Sequence, residues 1–114
     1  MRRRALAVVL GLGILLPASA ARAQPPEGHL ALENDSVRVT VLTFRPGAGT
    51  GRHVGLEPEL GIVLEGELTL ETPSGQQVLG AGAVYWIPSL TPHDVRNEGD
   101  RPGKLWDVLL KRCD

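Results

Sequence analysis

From residue 29 onward, hydrophobic and polar residues alternate in short segments that turn-forming residues separate. Val37–Phe44 shows this most clearly, because valines at every second position alternate with polar residues and its last residues are apolar on both faces. Further strands are predicted over residues 29–32, 52–56, 60–64, 67–71, 76–79, 83–87, 93–96 and 104–110. No segment after residue 23 has the apolar spacing of a helix over ten residues. Strands at roughly ten-residue intervals predict an all-β sandwich or barrel.

The first 23 residues have the pattern of a secretory signal peptide. Three arginines at positions 2–4 precede an uncharged apolar run over residues 5–16, and Ala21-Arg22-Ala23 offers a small-x-small cleavage site. Residues 18–20 are a second possible cleavage site, and an uncleaved membrane anchor is the alternative interpretation. The apolar run is too short to span a bilayer as a helix. We therefore expect a signal peptide over residues 1–23, a mature single domain over residues 24–114, and a periplasmic or secreted protein without membrane association after cleavage.

Removal of this leader changes the charge balance. The whole chain has 12 basic and 13 acidic residues. Four arginines leave with the leader and no acidic residue does, so 8 basic and 13 acidic residues remain, a net charge of −5. Such a chain lacks the basic surface that neutralises phosphates, so a nucleic-acid partner is not expected.

The size of the mature chain and its one cysteine bear on assembly. Residues 24–114 can form only a small core, and a closed barrel or a homodimer would help them bury enough surface. Cys113 has no second cysteine for an internal disulfide. It is interpreted as a thiol in a frayed tail, with an intermolecular disulfide as the minor alternative.

Two histidines in different parts of the chain are candidate metal ligands. His53 lies in a glycine-rich segment with two acidic residues, Glu57 and Glu59, and His93 follows in a proline-flanked loop. Two imidazoles and one carboxylate can bind a divalent Fe, Mn or Ni ion with open positions for substrate, or Zn at lower coordination. His29 lies apart from these segments.

The spacing of these residues resembles the two motifs of the cupin superfamily. The first motif, G-x5-H-x-H-x3-E-x6-G, falls on Gly47, His53, Gly55, Glu59 and Gly66. The second, G-x5-P-x-G-x2-H-x3-N, falls on Gly82, Pro88, Leu90, His93 and Asn97. The spacing fits throughout, but Gly55 replaces a histidine and Leu90 replaces a glycine.

The resemblance implies a cupin-type antiparallel jelly-roll barrel with His53, Glu59 and His93 as metal ligands. Residue 55 is expected to face the metal beside His53, because residues two apart in a strand point the same way. The resemblance is compatible with a dioxygenase or isomerase acting on a small molecule. It is also compatible with a non-catalytic small-molecule-binding or sensing barrel, or with a structural module whose metal site has decayed.

Several other residues are expected to have structural roles. Tyr85, Trp86 and Trp106 are predicted to be core or interface residues rather than ligand-stacking residues. Asn97 and the turn glycines are predicted to be structural, with positive φ at Gly66 and Gly82.

Overall fold

The structure is a computed structural model that describes residues 23–111. The expected signal peptide lies outside the described residues except for Ala23, and so does Cys113. Within residues 23–111, no helix is long and apolar enough to cross a membrane.

Eight strands make up the regular structure of this range. They are β1 (Glu27–Glu33), β2 (Val37–Phe44), β3 (Glu59–Glu65), β4 (Glu67–Thr72), β5 (Gly75–Gly80), β6 (Val84–Ile87), β7 (Asp94–Arg96) and β8 (Gly103–Leu110). The strand predicted over Val37–Phe44 is confirmed to the residue. Most of the others differ at their ends by one or two residues, as is usual for boundaries read from sequence. The strand predicted over residues 52–56 is wrong, because that segment is irregular.

The strands form two antiparallel sheets, which confirms the predicted single-domain jelly roll. The five-stranded sheet has the order β1-β2-β8-β3-β6, and the three-stranded sheet has the order β5-β4-β7. Strand β8 pairs with both β2 and β3, so the last strand of the chain lies in the middle of the larger sheet. This arrangement brings residues that are far apart in sequence onto one inner face.

The core fills the space between the two sheets. Its buried hydrophobic residues are Phe44, Ala48, Val63, Leu68, Leu70, Tyr85, Ile87, Val95 and Leu105. Along β3 the burial alternates, with Glu59, Gly61 and Val63 buried. The inner face of β3 therefore changes from a carboxylate at one end to apolar packing at the other.

The predicted positive φ angles are confirmed at the two turn glycines, with values of 74° at Gly66 and 92° at Gly82. The backbone of Gly66 also lies close to that of Pro102, and a Cβ at residue 66 would be 2.5 Å from the carbonyl oxygen of Pro102. A side chain at residue 66 would therefore be excluded by both conformation and space.

The structural role predicted for Asn97 is confirmed by its burial and its hydrogen bonds. It is only 1% exposed, and its side-chain amide donates to the carbonyls of Phe44 (3.0 Å) and Arg101 (2.7 Å). Its Oδ1 accepts a hydrogen bond of 2.9 Å from the amide of Gly99. One side chain thus fixes the end of β2 and the turn that precedes β8.

The three aromatic residues differ in environment. Tyr85 is a core residue, as predicted, whereas Trp86 and Trp106 are 51% and 42% exposed. Both tryptophans lie on the outer face of the five-stranded sheet, so the core interpretation is wrong for them. Their interpretation as interface residues stays a prediction.

Candidate metal centre

The two histidines are neighbours through their backbones. His53 and His93 form an isolated antiparallel bridge, in which each amide donates to the other residue's carbonyl at 2.9 Å. Residues paired in this way present their side chains on the same face. The two imidazole rings accordingly lie close together, with centroids 4.2 Å apart and planes inclined at 54°. A single bridge between two loops therefore replaces the strand predicted over residues 52–56.

The ring orientation of each histidine is set by its own loop. Nδ1 of His53 lies 2.9 Å from the carbonyl oxygen of Gly51, and Nδ1 of His93 lies 2.9 Å from that of Thr91. A carbonyl oxygen can only accept, so each Nδ1 donates its proton, and Nε2 is the ring nitrogen left for a further partner. Backbone carbonyls commonly orient metal-binding histidines in this way.

The carboxylate comes from the first residue of β3. Glu59 is buried, and its Oε1 lies 3.2 Å from Nε2 of His93. One potential ligand atom from each of His53, Glu59 and His93 lies within 4.8 Å of the other two. The structure thus brings together all three residues predicted from the sequence. His93 and Glu59 are buried while His53 is exposed, so the cluster opens to solvent on the His53 side.

The proximity of His93 and Glu59 alters how each ionises. The hydrogen bond to Glu59 raises the pKa of His93, although burial acts in the opposite direction. Burial alone would raise the pKa of Glu59, but side-chain hydrogen bonds from His93 and Asp107 lower it overall. The cluster therefore favours an anionic Glu59 next to the imidazoles, which suits a site for a cation.

The other residues considered from the sequence lie outside this group. Glu57 and His29 do not belong to the cluster formed by the described residues. A Cβ built on Gly55 would contact only the carbonyl of Glu57, at 3.8 Å, and no atom of the three candidate ligands within 4 Å. The expected shared strand face of residues 53 and 55 is wrong, because there is no strand at that point.

Two polar residues that sequence reasoning missed lie next to Glu59. Asp107 of β8 lies opposite Gly61, two residues from Glu59 on the same inner face, and lowers the pKa of Glu59. Burial and the charge of Glu59 raise the pKa of the Tyr85 hydroxyl of β6. The sequence did contain a signal for Asp107. It is the one charged residue within the apolar run Leu105–Leu110, at an inward position two residues after the buried Leu105.

The donor set suits a divalent metal. Once His93 releases the Nε2 proton that it shares with Glu59, Nε2 of each imidazole and the buried carboxylate can occupy one side of a metal ion and leave further positions open. His53, Glu59 and His93 would hold the ion. That they do so stays a prediction.

Over most of its length, this chain is similar in sequence to a known protein family and in fold to solved structures. A family model described as "Cupin domain" matches residues 40–109. No curated protein matches the chain. A cupin domain protein of Bordetella pertussis Tohama I is 28% identical with a TM-score of 0.67, and the alignment covers 80% of this chain and 98% of that one.

Two further solved structures show the same fold. The TT1209 protein of Thermus thermophilus is 23% identical with a TM-score of 0.73, covering 85% of this chain and 95% of that one. The DMSP lyase DddQ of Ruegeria pomeroyi DSS-3 is 21% identical with a TM-score of 0.71, covering 79% of this chain and 49% of that one. At these identities the likeness concerns the fold alone.

Proposed function

This chain belongs to the cupin domain family, and we propose that it binds a divalent metal ion through His53, Glu59 and His93 and binds a small organic molecule at that ion. One observation carries the proposal. Both histidines donate their Nδ1 protons to backbone carbonyls, so that Nε2 is the atom of each ring left for a metal, and a buried carboxylate lies within reach of both rings.

The proposed metals are those that accept mixed imidazole and carboxylate ligands. Fe, Mn and Ni favour six ligands, of which this chain supplies three, and Zn could bind with fewer. When bound, such an ion supplies a Lewis acid and open positions for the oxygen atoms of a ligand. His53, Glu59 and His93 would hold the ion, and a ligand would approach it from the side of the exposed His53.

The loops that carry the histidines present apolar side chains to solvent. Val54, Leu56 and Leu90 are 55%, 70% and 64% exposed. Val54 and Leu56 follow His53 in the first loop, and Leu90 precedes His93 in the second. Exposed apolar residues close to a polar site are typical of ligand-binding surfaces. They support a ligand with a metal-binding polar group and an apolar portion.

The reaction class that suits this site is oxygenation or isomerisation of that ligand. A non-catalytic binding or sensing barrel is the alternative, because the same three ligands could hold a metal that only anchors a ligand. Oxygen consumption and product analysis with the Fe- and Mn-loaded protein, over a panel of small organic acids and alcohols, separate the two. Turnover identifies an enzyme, and metal-dependent binding without turnover identifies a binding barrel.

Metal binding itself is tested by titration of the purified, chelator-treated protein with Mn(II), Ni(II) and Zn(II). We expect one ion per chain. His53→Ala and Glu59→Gln should each weaken binding by at least about tenfold. His29→Ala is the matched control, because His29 is exposed and lies outside the cluster. Equal affinities for His53→Ala and His29→Ala would overturn the proposed site.

The N-terminal residues support a further proposal, that the protein is exported and cleaved near Ala23. Arginines at positions 2–4, the apolar run over residues 5–16 and the small residues at 21–23 carry it. Mass spectrometry of protein from the culture medium and the periplasm should find a chain that begins at Gln24 or close to it. An exported soluble chain that retains Met1 would contradict this proposal.

A further inference from the structure

A cleft lies between the edge strands of the two sheets. Strand β6 ends the five-stranded sheet and β5 ends the three-stranded sheet, and each pairs on one side only among the described strands. Residues of both strands line a cleft of about 400 Å³. Pockets that hold small organic molecules have volumes of roughly 300–1,000 Å³. The two edge strands therefore border a space that is large enough for a small ligand.

An amide side chain occupies a core-facing position in this cleft. Gln77 of β5 lies opposite Leu70 of β4, which is only 5% exposed, so both residues share the inner face of their sheet. Leu79, two residues further along that face of β5, packs against the core. Gln77, in contrast, is exposed and lines the cleft. The apolar core therefore ends at Gln77, and the cleft begins with a group that donates and accepts hydrogen bonds.

Trp86 of β6 lies between this cleft and a second depression. The second depression has a volume of about 240 Å³ and extends to Thr91 in the loop after β6. Trp86 lines both spaces, together with Thr72 and Ser74 at the turn between β4 and β5. Trp86 is also 51% exposed, which is unusual for so large an apolar residue without a partner. An indole at the boundary of two adjacent spaces can contact a ligand that occupies both.

The lining of both spaces is uncharged. Apart from the aromatic residues, its polar side chains are hydroxyls and amides: Thr72, Ser74, Gln76, Gln77 and Thr91. No acidic, basic or histidine residue is among the lining residues of either space. By contrast, Glu67, Asp100 and Arg101 line a depression of about 400 Å³ elsewhere on the surface. The cleft therefore has no group that would neutralise an ionic ligand, and it suits a neutral one.

A neutral saccharide matches this lining. Sugar hydroxyls donate and accept hydrogen bonds, as amide and hydroxyl side chains do. The C–H face of a sugar ring is apolar and packs against the flat apolar face of an indole. A peptide added as a further strand matches less well, because β6 has only four residues and Pro88 follows it directly.

We propose that the cleft and the second depression bind a neutral saccharide of at least two sugar units. Trp86 supplies the surface on which a sugar ring stacks, and Gln77 hydrogen-bonds its hydroxyls. The sequence did not predict this ligand-stacking role for Trp86. The saccharide site is separate from the candidate metal centre, because its lining does not include His53, Glu59 or His93. The proposal is therefore independent of the proposed function.

The test is a titration of the ¹⁵N-labelled protein with cellobiose, maltose and lactose, followed by NMR. At least one of these disaccharides should shift the backbone and side-chain amide signals of Trp86 and Gln77, with a dissociation constant of about 5 mM or lower. Glucose should bind at least about threefold more weakly, because it fills only one of the two spaces. A metal chelator should leave the affinity unchanged, because the site contains none of the candidate metal ligands.

Substitutions at the two named residues separate stacking from hydrogen bonding. Trp86→Ala should weaken binding about tenfold or more, as the loss of an aromatic anchor does. Trp86→Phe keeps an aromatic face and should stay within about threefold of the wild type. Gln77→Leu keeps the size of the side chain without its hydrogen bonds, and it should weaken binding about fivefold. Trp106→Ala is the matched control, because Trp106 is exposed on the same sheet but lines neither space.

Several results would overturn the proposal. One is the absence of saturable shifts with all three disaccharides up to about 50 mM. Another is equal weakening by Trp86→Ala and Trp106→Ala, because the position of the indole would then not matter. Shifts confined to the loops of His53 and His93, or binding that the chelator abolishes, would place the saccharide at the metal centre instead. Equal affinities for glucose and the disaccharides would overturn the assignment of two sugar units.

Discussion

The backbone amide of Leu90 donates a hydrogen bond to the carbonyl of Gly55, with an N···O distance of 2.8 Å. These are the two positions at which the chain departs from the cupin motifs, and they are in direct contact. The bond joins the loop that carries His53 to the loop that carries His93. It therefore acts beside the histidine bridge in holding the two loops together at the candidate metal centre.

Leu90→Gly should stabilise the protein. Among the described residues, Leu90 is the one non-glycine residue with a positive φ, 60°. A left-handed backbone costs a side-chain-bearing residue roughly 1–2 kcal/mol, and glycine avoids this cost while losing about 0.5–1 kcal/mol in unfolded-state entropy. Leu90 is 64% exposed, so little packing is lost. We expect a net gain of about 0.5–1 kcal/mol in urea unfolding.

The control for this prediction is Leu56→Gly. Leu56 is 70% exposed in the neighbouring loop and has no positive φ, so glycine there should not stabilise. A Leu90→Gly variant that is no more stable than Leu56→Gly would show that the conformation at residue 90 is not strained.

Gly61→Ala should destabilise the protein by about 1–3 kcal/mol, the usual cost of overpacking a core. The added methyl group would overlap the ring of Tyr85 and force it to move. Gly80→Ala is the matched strand control, since a Cβ there meets nothing within 4 Å. In thermal unfolding, Tyr85→Leu should cost less in the Gly61→Ala background than in the wild type. Additive effects of the two substitutions would contradict the steric account.

The sequence predicted the strands and the three candidate ligands for two different reasons. Val37–Phe44 has a local alternation that needs no tertiary information, and the spacing of the two motifs relates His53, Glu59 and His93 through a known barrel geometry. Residues 52–56 were misassigned because their apolar and polar residues alternate, while the glycine-rich segment forms only a single bridge.

The placement of Tyr85 and Asp107 on either side of Gly61, on three neighbouring strands, could not be derived in the same way. Each residue is unremarkable in its own segment, and their relation depends on the register of three strands that are distant in sequence. Only the sheet order, with β8 beside β3, makes Asp107 a neighbour of Glu59. Pairings of this kind are not encoded in local periodicity.

Asn97→Ala should destabilise the protein by roughly 2–4 kcal/mol. The substitution would remove three hydrogen bonds and leave the buried carbonyl of Phe44 unsatisfied, which alone costs about 1–3 kcal/mol. Asn34→Ala is the control, because Asn34 makes two similar bonds in an exposed turn, where water can replace it. Urea unfolding should therefore show a much smaller loss for Asn34→Ala, and equal losses would contradict the importance of burial at residue 97.

The expected homodimer stays a prediction, and the outer face of the five-stranded sheet is where we expect it to form. Ile62 lies opposite both Val84 and Trp106, which makes an apolar row across three strands. Val84 and Trp106 are 58% and 42% exposed. Sedimentation should show a dimer at micromolar concentration that Trp106→Lys dissociates. Val78→Lys, at an exposed site on the other sheet, should leave it intact, and a monomeric wild type would contradict the prediction.

Acid should destabilise the protein in part through Arg96, whose guanidinium bonds Glu98 at 2.7 Å and Glu71 at 2.8 Å. Hydrogen bonds from Arg96 lower the pKa of both glutamates below the ordinary value of 4.5. The unfolded chain therefore takes up these protons first as the pH falls. The stability that the two glutamates contribute is present above pH 4.5 and is lost as the pH falls through their folded-state pKa values.

Arg96→Gln removes the cation that causes these shifts. Its melting temperature should lie below that of the wild type near pH 7, and the difference should shrink as the pH falls below 4.5 and both glutamates become protonated. Added salt should also reduce the difference at neutral pH, because the glutamates are at the surface. Arg101→Gln, at an exposed arginine without a side-chain ion pair among residues 23–111, should show no such pH dependence. A constant difference between wild type and Arg96→Gln from about pH 7 to about pH 3 would mean that Arg96 stabilises the protein through packing rather than charge.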